Sequence, residues 1–478
     1  MLHLKARSAV YWSSLDILVR QGLNFVVTVI LARLLVPEDF GTVALLALFL
    51  GLGGLFVNGG FSAALIQKQD ATHTDESTIF WFNIGAAFVV TLGLMALSPW
   101  LARYFELPVL RLLAMVMACN IFISAFGTIQ TTLLTKQLNF KVLTIVGVLA
   151  TVLSSGLAIY LARADYGVWA LAWQALSATI FTTVLLWWFS SWRPLMTFSG
   201  SSFNSLMAFS GWVFASGLLD TIYQKGYTLL IGKYYGTYDL GIYNQADNTQ
   251  QGPTSILTSV ISRVTFPLFS SISDDPARLR RAVRLSLRSV MLITSPAMLG
   301  LAVLATPFIR EVFGEQWLPA APLLQILCLA GLLWPLHVIN VHVLKAQGHA
   351  KLNFRLALIK KTLGVVLLIG GTFFGLTGIA WSRVLSSILG LFINGYYTGK
   401  FLDYGAFNQA KDYLPAIAAS VMMGAVVILA DRWIEIGGAT ELVILIVIGA
   451  VSYSALTLFS GVSALKDAVE FMTGRKQL

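Results

Sequence analysis

Apolar positions in this chain gather into runs of roughly 18 residues or more, the length that crosses a bilayer as an α-helix. Short clusters of Pro, Gly and charge separate the runs. A membrane β-barrel would instead be written as alternating strands of about ten residues, and the runs here are continuously apolar. Fourteen spanning helices are predicted, near 10–33, 40–58, 77–98, 108–134, 142–162, 167–189, 205–231, 238–263, 286–308, 318–344, 354–374, 376–398, 412–430 and 441–460. The first apolar segment, 9–31, is too long for a signal-peptide core and contains Asp16, Arg20 and Asn24, so it is expected to remain as the first span.

An even number of spans puts both termini on one side, and Lys/Arg placement says which. Of the 32 Lys and Arg residues, twenty fall on the side of the N-terminus, seven on the other and five within spans. The positive-inside rule then assigns both termini to the cytoplasm. The net charge of +10 follows largely from this asymmetry, so anionic lipid headgroups are the expected neighbours and nucleic acid is not needed to explain it. The densest basic run, "RLRRAVRLSLRS" (278–289), lines Arg281, Arg284 and Arg288 along one side of a helix and reads as a juxtamembrane anchor. With 57% hydrophobic and 11% charged residues, the chain lies far from a soluble protein of this length. Cys119 and Cys328 sit alone inside apolar runs and read as packing thiols, with no metal spacing.

The polar punctuation repeats. "LARLLVPEDFGTVAL" (31–45) returns as "LIGKYYGTYDLGIYN" (230–244), with Arg33, Asp39 and Gly41 matched 200 positions on by Lys233, Asp239 and Gly241. Locally each is a tight helical hairpin: a base closes a helix at its negative end and an acid opens the next at its positive end. A second echo pairs "QLNFKVL" (137–143) with "KLNFRLA" (351–357), followed by "YGVWALA" (166–172) and "LTGIAWS" (376–382). Six spans are duplicated, and an even number keeps the copies parallel. The expected organisation is an all-α integral membrane protein of two six-helix lobes, 1–195 and 196–400, with 401–478 adding two helices and a cytoplasmic tail. Two such lobes facing a cleft make a transporter's architecture.

The stretches "LARLLVPEDFGTVA", "GGFSAALIQKQD" (59–70), "GVWALAWQ" (167–174) and "LLIGKYYGTYDLGIYNQA" (229–246) resemble the WzxC-type lipopolysaccharide or exopolysaccharide flippases. These belong to the superfamily that also contains the MATE exporters and the lipid II flippase MurJ. The resemblance runs from about residue 10 to 400 and includes "FPLFSSISDDPARLRRA" (266–282). It implies an alternating-access fold in a bacterial inner membrane. The implied cargo is an undecaprenyl-pyrophosphate-linked oligosaccharide, moved from the cytoplasmic to the periplasmic leaflet, with other polysaccharide assembly proteins as neighbours. Tyr227 is a departure: the family commonly carries an acid just ahead of "LLIG".

Charges within spans each need a reason, since one at mid-bilayer costs about 2.5–3.5 kcal/mol on insertion scales. The cations are Arg20, Lys225, Lys360, Lys361 and Arg383; the anions are Asp16, Asp220 and Asp247. The excess of positive charge suits an anionic lipid pyrophosphate, so the five cations are the candidate substrate-binding residues of a central cleft. The plain alternative is mutual neutralisation of Asp16 with Arg20, and snorkelling by Lys360, Lys361 and Arg383. Asp16, Asp220 and Asp247 are either sites for a coupling H⁺ or Na⁺ or counter-ions. His337 and His342, five residues apart, occupy different faces and read as two buried histidines. No resident cofactor or metal is expected.

Two other functions stand open. A MATE-like cation-coupled drug exporter would line its cleft with net negative charge, opposite to the excess found here. A membrane polysaccharide polymerase or ligase needs an extramembrane loop with convergent acids, bases or a nucleophile, and no loop provides one. The nearest approach to a phosphate-binding loop, "GYTLLIGKY" (226–234), has the wrong spacing and lacks the Ser/Thr.

Overall fold

A computed structural model describes residues 2–68, 70–434 and 436–459. The expected cytoplasmic tail, with Lys466, Arg475 and Lys476, lies outside the described residues. The helices are α1 (Leu2–Leu34), α2 (Pro37–Asn58), α3 (Phe61–Gln67), α4 (His73–Tyr104), α5 (Val109–Lys136), α6 (Phe140–Arg163), α7 (Val168–Phe189) and α8 (Gly200–Tyr234). There follow α9 (Gly236–Ser271), α10 (Pro276–Val303), α11 (Ala305–Val312), α12 (Ala320–Ala346), α13 (Ala350–Thr372), α14 (Gly375–Leu402), α15 (Ala406–Asp431) and α16 (Gly438–Phe459). One 3-10 turn, Glu315–Trp317, precedes α12.

Over their described residues all fourteen expected segments are mainly helical, but the span count is lower. Among the described residues eleven helices are long and apolar enough to cross a membrane, or twelve if the two arms of α8, bent by 53°, form one span. α9 and α13 fall short on composition: α9 carries a polar run from Asn244 to Gln251, and α13 carries Lys351, Arg355, Lys360 and Lys361. The protein is a multi-pass membrane protein, and its outward side chains agree. Val89, Val366 and Leu414 are 68%, 61% and 58% exposed, as lipid-facing residues are.

Local chemistry starts the helices where the polar punctuation falls. Thr72 and Asp75 form a reciprocal cap on α4: Asp75 N donates to Thr72 Oγ1 (3.2 Å) and Thr72 N to Asp75 Oδ2 (2.9 Å). Asp275 accepts from Arg278 N (3.0 Å) to open α10, with Pro276 at the first helical position. Of the two "LNF" echoes, Asn139 caps α6 through Val142 N (3.5 Å), whereas Asn353 lies inside α13, which begins earlier.

The residues fall into two compact units, divided between Asn244 and Gln245. In the first, α8 packs on α2, α3 and α4. Its core includes an aromatic cluster around Phe61 and Phe80, and a seam of Val27 and Leu31 against Ala158, Ala162 and Ala170. In the second, Leu279, Val283, Leu287 and Met291 recur every fourth residue on α10 and pack with Leu336, Ile339 and Val343 of α12. Lipid tails are as apolar as leucine, so close packing and interhelical hydrogen bonds, rather than exclusion of water, hold these helices together.

Candidate functional site

The two copies of the punctuation motif meet each other inside the first unit. A Cβ on Gly41 would lie 1.8 Å from the Thr237 carbonyl oxygen, and one on Gly241 would lie 2.0 Å from that of Pro37. The start of α2 and the start of α9 therefore touch backbone to backbone, and only glycine fits at either position. The charged residues of the motifs serve neighbouring helices. The Asp39 carboxylate faces the Val168 N–H at the start of α7 and also accepts from Val36 N (3.4 Å). Lys233 Nζ donates to the carbonyl of Tyr104 (2.6 Å), the last residue of α4, and lies 4.5 Å from that tyrosine's ring centre. An acid at one helix N-terminus and a base at another's C-terminus both complement the helix dipole.

The charges inside the helices are partly paired. Arg20 Nε lies 3.1 Å from Asp16 Oδ1, one turn back on α1, and its guanidinium crosses Gly147 of α6, where a Cβ would come within 2.6 Å of Nη1. Arg383 Nη1 of α14 lies 2.8 Å from Asp247 Oδ1 of α9, and Gln251 Nε2 donates to the other carboxylate oxygen (2.7 Å). Asp247 is thus the counter-ion of Arg383, on another helix of the second unit. Lys360 meets no carboxylate: its Nζ donates to Asn394 Oδ1 (2.8 Å). Lys361 is half-buried, and Asp220 and Lys225 are exposed on α8. Among the described residues Lys225 has no ion-pair partner. The five cations outnumber the three anions by two, and among the described residues neither Lys225 nor Lys360 pairs with a carboxylate.

Polar residues that carried no signal in the sequence complete the second unit. Asn340 and Gln409, both fully buried, exchange two amide hydrogen bonds (3.0 and 2.9 Å), and Thr398 Oγ1 donates to Asn340 Oδ1 (2.7 Å). Asp412, at the start of α15, gathers Arg284 Nε (2.8 Å), Arg288 Nε (2.9 Å) and the Tyr404 hydroxyl (2.6 Å). Burial, together with the carboxylate that accepts its hydrogen bond, pushes the Tyr404 phenol above its usual range. Of the three arginines expected to anchor the chain on lipid headgroups, Arg284 and Arg288 are thus tied to Asp412, Arg284 staying half-exposed, and Arg281 is exposed. The two histidines have separate surroundings, His342 at Thr265 Oγ1 (2.7 Å) and His337 at Ser387 Oγ (3.0 Å). Tyr223 and Tyr227 pack edge to face on each other, 6.2 Å apart.

A bundle of apolar helices whose interior holds paired and unpaired charges is the build of a membrane transporter. The sequence pattern of the polysaccharide biosynthesis protein family matches residues 30–322. The chain belongs to this family. The succinoglycan biosynthesis transport protein ExoT of Rhizobium meliloti is 27% identical, with 97% of this chain and 95% of ExoT aligned. The lipopolysaccharide biosynthesis protein WzxC of Escherichia coli is 27% identical over 82% of this chain and 81% of its own. The teichuronic acid biosynthesis protein TuaB of Bacillus subtilis is 28% identical over 82% and 83%. Among solved structures, the lipid II flippase MurJ in an inward closed conformation superposes with a TM-score of 0.73 at 18% identity, covering 94% of this chain and 98% of MurJ. An inward-facing MATE family transporter gives 0.63 at 15% identity, covering 81% and 99%. The likeness to these two is one of fold. The chain is a transporter, not an enzyme.

Proposed function

We propose that this protein flips undecaprenyl-pyrophosphate-linked oligosaccharide units from the cytoplasmic to the periplasmic leaflet of a bacterial inner membrane, by alternating access and with ion coupling. The observation that carries the reading is the end-to-end alignment with a succinoglycan transport protein. The positive charge left over inside the helices supports an anionic cargo. Lys225, Lys360 and Lys361 are the residues we assign to a pyrophosphate, with Arg20 and Arg383 contributing from within their ion pairs. Fourteen spans in two lobes, 1–195 and 196–400, and both termini in the cytoplasm, complete the arrangement.

The test is reconstitution. Proteoliposomes loaded with a fluorescent lipid-linked oligosaccharide are expected to move it across the bilayer, and Lys225→Glu to slow this sharply. Equal movement of a bare cationic drug, with no movement of the lipid-linked sugar, would overturn the assignment in favour of an exporter.

A further inference from the structure

Three hydrogen bonds in the second unit run in one direction. Lys360 Nζ on α13 donates to Asn394 Oδ1 on α14 (2.8 Å), and Asn394 Nδ2 lies 3.3 Å from His337 Nδ1 on α12. His337 Nε2 in turn lies 3.0 Å from Ser387 Oγ, one helix face along on α14. An amide nitrogen can only donate, so Nδ1 of His337 carries the lone pair. Nε2 then carries the proton and donates to Ser387. The backbone of α14 lies under both side chains: a Cβ on Gly390 would sit 3.1 Å from His337 Cε1 and 3.4 Å from Lys360 Cδ.

This arrangement accommodates one positive charge. Were His337 protonated while Lys360 stayed an ammonium, Nδ1–H would confront the amide N–H of Asn394. Turning the amide over would offer its oxygen to the imidazolium, but would then present the NH₂ to the ammonium. Two arrangements satisfy every bond: Lys360 charged with His337 neutral, or His337 charged with Lys360 a neutral amine, the amide of Asn394 reversed between them.

Lys361 lies next to Lys360 on α13, and Lys360 reaches His337 through the amide of Asn394. Of the other titratable or charged groups on the packed helices, Arg281 of α10, Lys351 and Arg355 of α13 and Tyr396 of α14 are exposed, and four are engaged elsewhere. Arg383 of α14 is held by Asp247, Arg284 and Arg288 of α10 by Asp412 of α15, and His342 of α12 by Thr265. Lys345 on α12 and Lys400 on α14 lie at the ends of their helices. Among the described residues no carboxylate pairs with Lys360 or His337. Either arrangement carries one positive charge and no carboxylate, which repels sodium and leaves the proton as the ion such a site exchanges.

We propose that Lys360, Asn394 and His337 form a one-proton exchange site that couples the transport cycle to a proton gradient; this rests on the flippase reading and names its coupling ion. In one half of the cycle the N–H bond at Lys360 Nζ breaks and the proton passes to water. In the other, His337 Nδ1 takes a proton from water as the amide reverses; the site resets when the N–H bond at Nδ1 breaks and that proton returns through water to the Lys360 amine, the amide turning back, so each cycle releases one proton and takes up one.

The first test needs no transport. Nitrogen NMR of histidine-labelled protein in nanodiscs, with His337 assigned from a His337→Gln variant, is expected to show the Nε2–H tautomer. Lys360→Met is expected to raise the pH at which His337 titrates by about one unit, a tenfold change in proton affinity. An unchanged titration, or the opposite tautomer, overturns the proposal whatever the cargo. The second test is proteoliposome flipping under a pH gradient or a sodium gradient. Acceleration by the pH gradient alone, abolished in His337→Gln and Asn394→Leu while equilibrium exchange persists, is the expected result. Acceleration by sodium alone, or variants with the wild-type gradient response, overturns it. Absence of flipping in the wild type with the NMR results intact would remove the flippase reading and leave the proton site standing.

Discussion

Gly41 and Gly241 hold the two copies of one sequence motif backbone to backbone, each lying against a carbonyl of the other copy. A duplicated stretch has thus become a contact with itself. Gly41→Ala is expected to destabilise the protein by about 1–3 kcal/mol, the usual range for an overpacked site. Gly41→Leu should abolish export. Thermal unfolding in detergent and export in cells lacking the native protein check the two. Wild-type stability in Gly241→Ala would show that the contact yields at no cost.

The Asp412 cluster should be unequal in its parts. Asp412→Ala leaves Arg284 and Arg288 side by side with no anion. Removing one partner of a buried pair costs about 3–5 kcal/mol, which falls to about 1–3 here because Arg284 is half-exposed. Arg284→Gln should cost less than Arg288→Gln, whose side chain is 21% exposed. A double-mutant cycle on chemical unfolding reads the difference.

Tyr404→Phe should cost about 1 kcal/mol through its lost bond to Asp412. The phenol is raised in the folded state, so the folded protein binds more protons than the unfolded one once pH passes the ordinary tyrosine value near 10. Its contribution is full below that pH and declines above it. The unfolding free energy measured between about pH 9 and 11 should therefore fall less steeply in Tyr404→Phe than in the wild type.

Asp247 and Arg383 offer a clean division between counter-ion and ion carrier. If Asp247 serves Arg383 alone, Asp247→Asn and Arg383→Gln should each impair transport, and the double variant should recover much of it. A double variant as inactive as Asp247→Asn would mean that the carboxylate does more than neutralise. Initial rates of flipping decide it.

Lys225, exposed and without an ion-pair partner among the described residues, should act on cargo and not on stability. Lys225→Ala is expected to raise KM for a lipid-linked oligosaccharide about tenfold to a hundredfold, as losing a charge-assisted hydrogen bond of about 1.5–3 kcal/mol would. Unfolding should be unchanged.

The helices were legible because a run of apolar residues long enough to span is a strong local signal. α9 and α13 show its limit: both are long helices, yet their polar residues keep them below the composition of a free-standing span. Charges in apolar runs were equally visible, and the pairing of Arg20 with Asp16 followed from their spacing. The partner of Arg383 did not, because α9 and α14 are joined by packing and not by sequence. Asn394, Asn340 and Gln409 gave no signal at all. An uncharged amide in a membrane helix is common, and only a facing side chain gives it a role. His337 read as an ordinary buried histidine for the same reason.

The packing of α8 on α2, α3 and α4 has a practical outcome. A gene split near codon 195, at the lobe boundary expected from the sequence, would strand α8 on a fragment without the surface it covers. A split just after Asn244 would keep that helix with its neighbours. Fragments co-expressed from the later cut should be the ones that escape proteolysis, so the boundary read from the repeat and the mechanical one lie a full helix apart.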